Sequence, residues 1–325
     1  MDIRQLVLRI TGILGCLIAA AAAFAQPPAV RYTFSHPQMG TMIRLVFYST
    51  ADSAGARSVA ERVFVRIDSL NAAFSDYLPE SELNRLCDRA GDGEKIIVSK
   101  ELWDILKMSA TYSEMTNGAF DVTVGAVTRL WRKARMMKEL PDSSRLAAAV
   151  ATVDYRYVRL FKKRRAMIAQ KGTRLDLGGI AQGYTADECL RMLRAAGIPN
   201  ALVDVGGDIA LGEPPPAAKG WIIEYPVAGE NGSVTADTLI LSNCGITTSG
   251  AGYRYLEING VRYSHIIDPR TGQGLTHRNW VTVKAPTATD ADAWATALSV
   301  LGKQGWDKLK SKYPDITGWI RQAPF

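Results

Sequence analysis

Tyr255-Leu256-Glu257-Ile258-Asn259-Gly260-Val261-Arg262-Tyr263 is the stretch on which the fold class turns. Apolar and polar residues alternate on both sides of Asn259-Gly260. Asn-Gly suits a type I′ turn, whose two central residues both need positive φ. The segment therefore predicts two antiparallel strands. Working outward, alternating stretches recur around Leu202 to Val205, Trp221 to Val227 and Leu239 to Ser242, and as a hairpin of Tyr155 to Phe161 with Ala166 to Gln170. Further strand signals lie within Tyr32 to Tyr48 and at Lys95 to Val98. Helical spacing appears at irregular intervals. It begins at Asp52 or Ser53 and runs through Val59, Val63, Ile67, Leu70 and Phe74; it returns briefly after Pro79 up to Gly91, at Glu101 to Thr116, out of the turn at Leu175 to Tyr184 as far as about Ala196, and at Asp290 to Leu301. Strands crowd the second half without a helix after each one. That order predicts an α+β fold of mixed, largely antiparallel sheets packed with helices, not a doubly wound parallel sheet.

The composition is that of a globular chain: 325 residues, 47% hydrophobic and 22% charged. Four cysteines exclude a disulfide scaffold, and three histidines leave little for a histidine-rich zinc site. Cys87 and Cys189 fall in amphipathic helical patterns, where a buried free thiol is expected. The formal charge of +7 is concentrated in Arg132 to Lys138 and Lys162 to Arg165. No aromatic or zinc-finger pattern accompanies these runs, so a solvated face is expected and no nucleic-acid partner.

The first 25 residues read as a signal peptide preceding a single body of residues 26–325. Arg4 and Arg9 precede an apolar run from Ile10 to Phe24, and Ala23-Phe24-Ala25 offers a small-x-small cleavage site before Gln26. Ile13-Leu14-Gly15-Cys16 resembles a lipobox, which would anchor the chain by lipid at Cys16 and give it membrane contact. The apolar run from Leu17 to Ala25 favours cleavage after Ala25 instead. A third reading keeps the helix as an uncleaved anchor. All three predict an exported protein, periplasmic or on the outer face of the inner membrane.

Three stretches carry residues suited to chemistry. Asp176-Leu177-Gly178-Gly179-Ile180-Ala181-Gln182-Gly183-Tyr184 runs from an apolar strand through glycines into a helix, a strand-to-helix turn spanning Leu175 to Tyr184. Such a turn lets backbone approach a phosphate, although it also suits an ordinary glycine-rich turn. It matches neither a Walker A loop nor a GxGxxG fingerprint. In Thr289-Asp290-Ala291-Asp292-Ala293-Trp294-Ala295-Thr296, Asp292 and Thr296 are four residues apart and share one helix face. A carboxylate and a hydroxyl there suit a hard cation such as Mg²⁺; the plainer alternative is an acidic first turn balancing the helix dipole. His265, in Ser264-His265-Ile266-Ile267-Asp268-Pro269-Arg270-Thr271-Gly272, suits a base, an orienting group or a structural histidine. Two weaker segments are Thr116 to Gly125 and the loop around Tyr77, from Phe74 to Leu83.

Taken in order, Met39-Gly40-Thr41, the Tyr77 loop, Gly118 to Gly125, Asp176 to Tyr184, His265 to Gly272 and Asp290 to Leu298 resemble the ApbE family of FAD:protein FMN transferases, over roughly residues 31–302. The resemblance implies an α+β body around a flavin-binding cleft, with FAD as substrate and Mg²⁺ as cofactor. It places flavin-nucleotide contacts at Met39, Tyr77, Ala119, Phe120, Asp121, Gly178, Tyr184 and Ile267. It places the metal at Asp292, Thr296 and the backbone carbonyl of Ala181, and makes His265 and Asp292 the catalytic pair. Gln182 departs from the pattern, since many members carry lysine there. The implied reaction moves FMN from FAD to a Thr or Ser hydroxyl of an acceptor flavoprotein subunit, forming a phosphoester and releasing AMP. Alternatives at the same site are Mg²⁺-dependent FAD hydrolysis to FMN and AMP, and flavin binding without turnover.

Overall fold

The computed structural model describes residues 28–228, 234–250, 255–277 and 279–322. The N-terminal apolar segment, with Cys16 and Ala25, lies outside them. The chain opens as a hairpin, β1 (Val30–Gln38) against β2 (Thr41–Ser49), turning through Met39 and Gly40 at φ 54° and 70°. Helix α1 (Ser53–Phe74) follows, its start held by the Asp52 carboxylate accepting the Gly55 N–H. Ser81 caps α2 (Glu82–Asp88) in the same way, and the short strand β3 (Ile96–Ile97) leads to α3 (Lys100–Met115). Asn117 and Gly118, both at positive φ, end that helix as expected. Helices α4 (Gly125–Met137) and α5 (Ser143–Val150) precede β4 (Val158–Phe161) and β5 (Arg165–Ile168).

The second half contains α6 (Ala181–Ala195), β6 (Ala201–Val205), β7 (Asp208–Leu211), β8 (Trp221–Ala228), β9 (Val234–Leu241), β10 (Cys244–Gly250), β11 (Tyr255–Ile258) and β12 (Val261–Ser264). It closes with β13 (Asn279–Ala285), α7 (Ala288–Leu309) and β14 (Thr317–Gln322). Seven strands form one sheet in the order β1-β2-β6-β7-β10-β13-β14, every neighbouring pair antiparallel. A three-stranded sheet (β3-β5-β4) and the hairpins β8-β9 and β11-β12 complete the set. The α+β, antiparallel expectation is met, and the Asn259-Gly260 turn has φ 50° and 76°.

Two apolar layers hold the helices on the large sheet. Ile43, Leu45, Phe47, Val203 and Val205 bury against Val63 and Ile67 of α1 and Ala186, Cys189 and Leu193 of α6. Val281 and Val283 of β13 bury against Trp294 and Leu298 of α7. Each such side chain removed from water contributes about 1.5–3 kcal/mol. Helix α7 breaks direction at Gly302, where φ is 63°.

Two readings need correction. No strand leads into the glycine turn: Leu175 to Leu177 lies outside every strand, held by the Asp176 N–H on the Val122 carbonyl and the Leu175 N–H on Cys87 Sγ. The basic run Arg132 to Lys138 is also not simply a solvated face. It belongs to α4, whose Val127, Trp131 and Ala134 are buried, and Arg132 itself is half-buried between two carboxylates.

Candidate active site

The crossing of α6 and α7 brings the glycine turn onto the Asp292/Thr296 face. A methyl group at Gly183 would lie 2.3 Å from the Ala288 carbonyl and 2.8 Å from Asp292 Cβ; one at Gly179 would lie 2.8 Å from Thr296 Oγ1. The helices therefore approach at a distance only glycine permits, on both sides of Ala181. No side chain of α6 caps its own start; instead Asp292 Oδ2 accepts the Gly183 N–H at 3.1 Å. The Ala181 carbonyl, in the first turn of α6, accepts the Thr185 hydroxyl at 2.7 Å. Thr296 is the one residue between Ala291 and Val300 that is not buried. Gly183→Ala is expected to destabilise the fold by about 1–3 kcal/mol through overpacking. It should also weaken cation binding, and thermal melts with and without Mg²⁺ check both.

Asp292 is almost wholly enclosed, and its pKa is pushed well above the ordinary carboxylate value, first by burial and then by Asp208. Burial foremost raises Asp208 to about 7. A divalent cation beside Asp292 would relieve that penalty. The set of one carboxylate, one hydroxyl and one carbonyl is oxygen-only, which suits Mg²⁺ retaining waters and bridging substrate phosphates. No group of three or more His, Cys, Asp or Glu side chains placed to hold a metal occurs among the described residues. The residues present thus fit the single-carboxylate Mg²⁺ site and not a soft-metal site.

The aromatic positions surround the same turn. Met39 Sδ meets the Thr185 hydroxyl at 3.6 Å, one turn into α6. Tyr184 packs edge-on to Phe74 at 5.5 Å, and burial pushes its phenol up to about 12, so it stays neutral. Tyr77 is 69% exposed, with the Arg132 guanidinium carbon 4.2 Å from its ring centroid. Arg132 also pairs with Asp76 and, at 2.7 Å, with Asp176, whose other oxygen accepts the Gly178 N–H at 2.8 Å. Asp76, Arg132 and Asp176 went unrecognised in the sequence. The signal available was the three-residue spacing of Arg129 and Arg132 beside an apolar stripe.

Ala119 and Phe120 are buried, and Phe120 meets Tyr112 edge-on at 6.0 Å. Asp121 is spent internally: Oδ1 accepts the Thr123 N–H and hydroxyl, and Oδ2 the Tyr155 N–H. Its carboxylate therefore fixes the loop that runs beside Arg174 to Asp176. Ile267 is buried in a separate cluster with Val127 and Trp131 of α4. The Trp131 indole donates to the Gly272 carbonyl at 2.7 Å, tying the His265–Gly272 loop to α4. His265 follows directly on β12 and is half-buried. The three described cysteines are buried, and burial pushes Cys87 up to about 11, so none is a ready thiolate nucleophile.

The glycine turn, the start of α6, one carboxylate and one hydroxyl thus meet in one place. The ApbE family model matches residues 39–320. The FAD:protein FMN transferase of Treponema pallidum is 33% identical over 321 residues, covering 94% of this chain and 88% of its own. That of Klebsiella pneumoniae is 31% identical, covering 88% and 83%. The solved structure of the flavin transferase ApbE from Vibrio cholerae has a TM-score of 0.80 at 26% identity, covering 90% of this chain and 98% of its own. The chain belongs to the ApbE family.

Proposed function

We propose that this enzyme transfers FMN from FAD to a Thr or Ser hydroxyl of a partner protein, releasing AMP, with Mg²⁺ as cofactor. The observation that carries the reading is the α6–α7 crossing, which sets the start of α6, capped by Asp292 from α7 and by no side chain of its own, against Asp292 and Thr296. The start of α6 turns a positive dipole end toward the pyrophosphate. Asp292, Thr296 and the Ala181 carbonyl would hold Mg²⁺, which when bound neutralises phosphate charge and improves the leaving group. Tyr77 offers an exposed ring for stacking, while Tyr184, Met39 and Phe120 give the turn apolar surroundings. His265 takes the proton from the acceptor hydroxyl as its oxygen bonds to the FMN phosphorus and the bond to the AMP phosphate breaks.

The test is incubation with FAD and Mg²⁺, with and without an acceptor peptide, followed by intact-mass analysis. A gain of one FMN on the peptide is expected. AMP release without peptide labelling would select hydrolysis, and bound but unchanged FAD would select a flavin-binding protein.

Export belongs to the same reading, because Arg4, Arg9, the apolar run and Ala23-Phe24-Ala25 make a cleavable leader. Among the described residues no helix is long and apolar enough to cross a membrane. N-terminal sequencing from the native host is expected to start at Gln26; a diacylglyceryl group on Cys16 would replace cleavage after Ala25 by lipid anchoring.

A further inference from the structure

We propose that Arg132 is a positioning residue for the nucleotide: it holds the Tyr77 ring as a stacking platform at a set spacing from the glycine turn. The inference rests on the FAD reading above. The backbone of the Tyr77 loop is already fixed without Arg132. Ser75 Oγ accepts the Tyr77 and Leu78 N–H groups, and Asn84 Nδ2 donates to the carbonyls of Asp76 and Leu78. Arg129 adds a bond to the Asn84 side chain at 2.7 Å. The ring remains 69% exposed, and among these groups only the guanidinium covers one of its faces. The other face is left for a planar ring.

Arg132 is poorly placed to act as a phosphate ligand. Its charge is shared between Asp76 and Asp176, whose side chains are 7% and 11% exposed. The same Asp176 carboxylate fixes the Gly178 N–H. One planar group therefore ties the stacking ring to the turn proposed for the phosphates. A dinucleotide needs both at once, since its ring and its pyrophosphate are joined by a chain of limited reach. Lysine could satisfy one carboxylate but could neither bridge both with a fork nor lie flat on the ring.

The test is a double-mutant cycle on FAD affinity, read by flavin fluorescence, with Arg132→Lys, Tyr77→Ala and the pair. Arg132→Lys is expected to raise the FAD Kd roughly three- to thirty-fold, with kcat at saturating FAD changed by no more than about two-fold. In the Tyr77→Ala protein, adding Arg132→Lys should have no further effect on Kd. A general loss of stability would not produce that non-additivity. Losses that multiply, an unchanged Kd, or a fall in kcat with constant Kd would overturn the proposal. Should Arg132→Lys fail to fold, Asp76→Asn, which leaves the Asp176 bridge, carries the same cycle with the same outcomes. Wild-type protein that binds no FAD would instead overturn the functional reading, and this inference with it.

Discussion

Asp292→Asn is expected to lower Mg²⁺-dependent FAD cleavage by at least about 10³-fold, because the carboxylate supplies the only negative side chain of the proposed cation site. The amide keeps an oxygen to accept the Gly183 N–H, so the start of α6 stays capped. Stability should move the other way. Burial and Asp208 raise the Asp292 pKa, so the folded protein holds that proton more tightly than the unfolded chain. Without metal, stability then falls as pH rises out of the ordinary carboxylate range, and asparagine removes that loss. Metal-free Asp292→Asn should therefore melt at or above the wild-type temperature at neutral pH. Mg²⁺ should raise the wild-type midpoint but leave that of the variant unmoved. Asp292→Ala loses the cap as well, a cost of about 0.5–2 kcal/mol. Unchanged FAD cleavage by folded Asp292→Asn would reject the site.

The second large effect concerns His265. If it accepts the acceptor proton, His265→Asn lowers FMN transfer by about 10²–10⁴-fold. FAD and Mg²⁺ affinities should change little, since neither ligand needs that proton moved. Its loop is pinned at one end by β12 and at the other by Trp131 on the Gly272 carbonyl, and His265 is half-buried. Measuring transfer rate, FAD Kd and thermal midpoint on the same variant separates the two roles. Near-wild-type transfer removes the base assignment; a parallel fall in all three makes the histidine structural.

Local chemistry was legible wherever one short segment determines its own conformation. Asn259-Gly260 turns a hairpin, Asp52 and Ser81 cap helices, and Asn117-Gly118 ends one, because each depends on φ preferences or a side chain within three residues. The i,i+4 relation of Asp292 and Thr296 was legible for the same reason. The strands β7, β10, β13 and β14 were not. β10 (Cys-Gly-Ile-Thr-Thr-Ser-Gly) is small and polar in sequence, and it sits between β7 and β13 in mid-sheet, where pairing on both edges replaces any alternation of its own. Nor could the sequence show that Arg132 lies between Asp76 and Asp176, 56 and 44 residues away along the chain. The residues of the site were thus set by local sequence. Tertiary packing alone decided their arrangement: glycines at 179 and 183 let α6 press onto α7, and α4 carries one guanidinium to two distant carboxylates. Close approach and ion pairing depend on distance in space, which sequence separation does not encode.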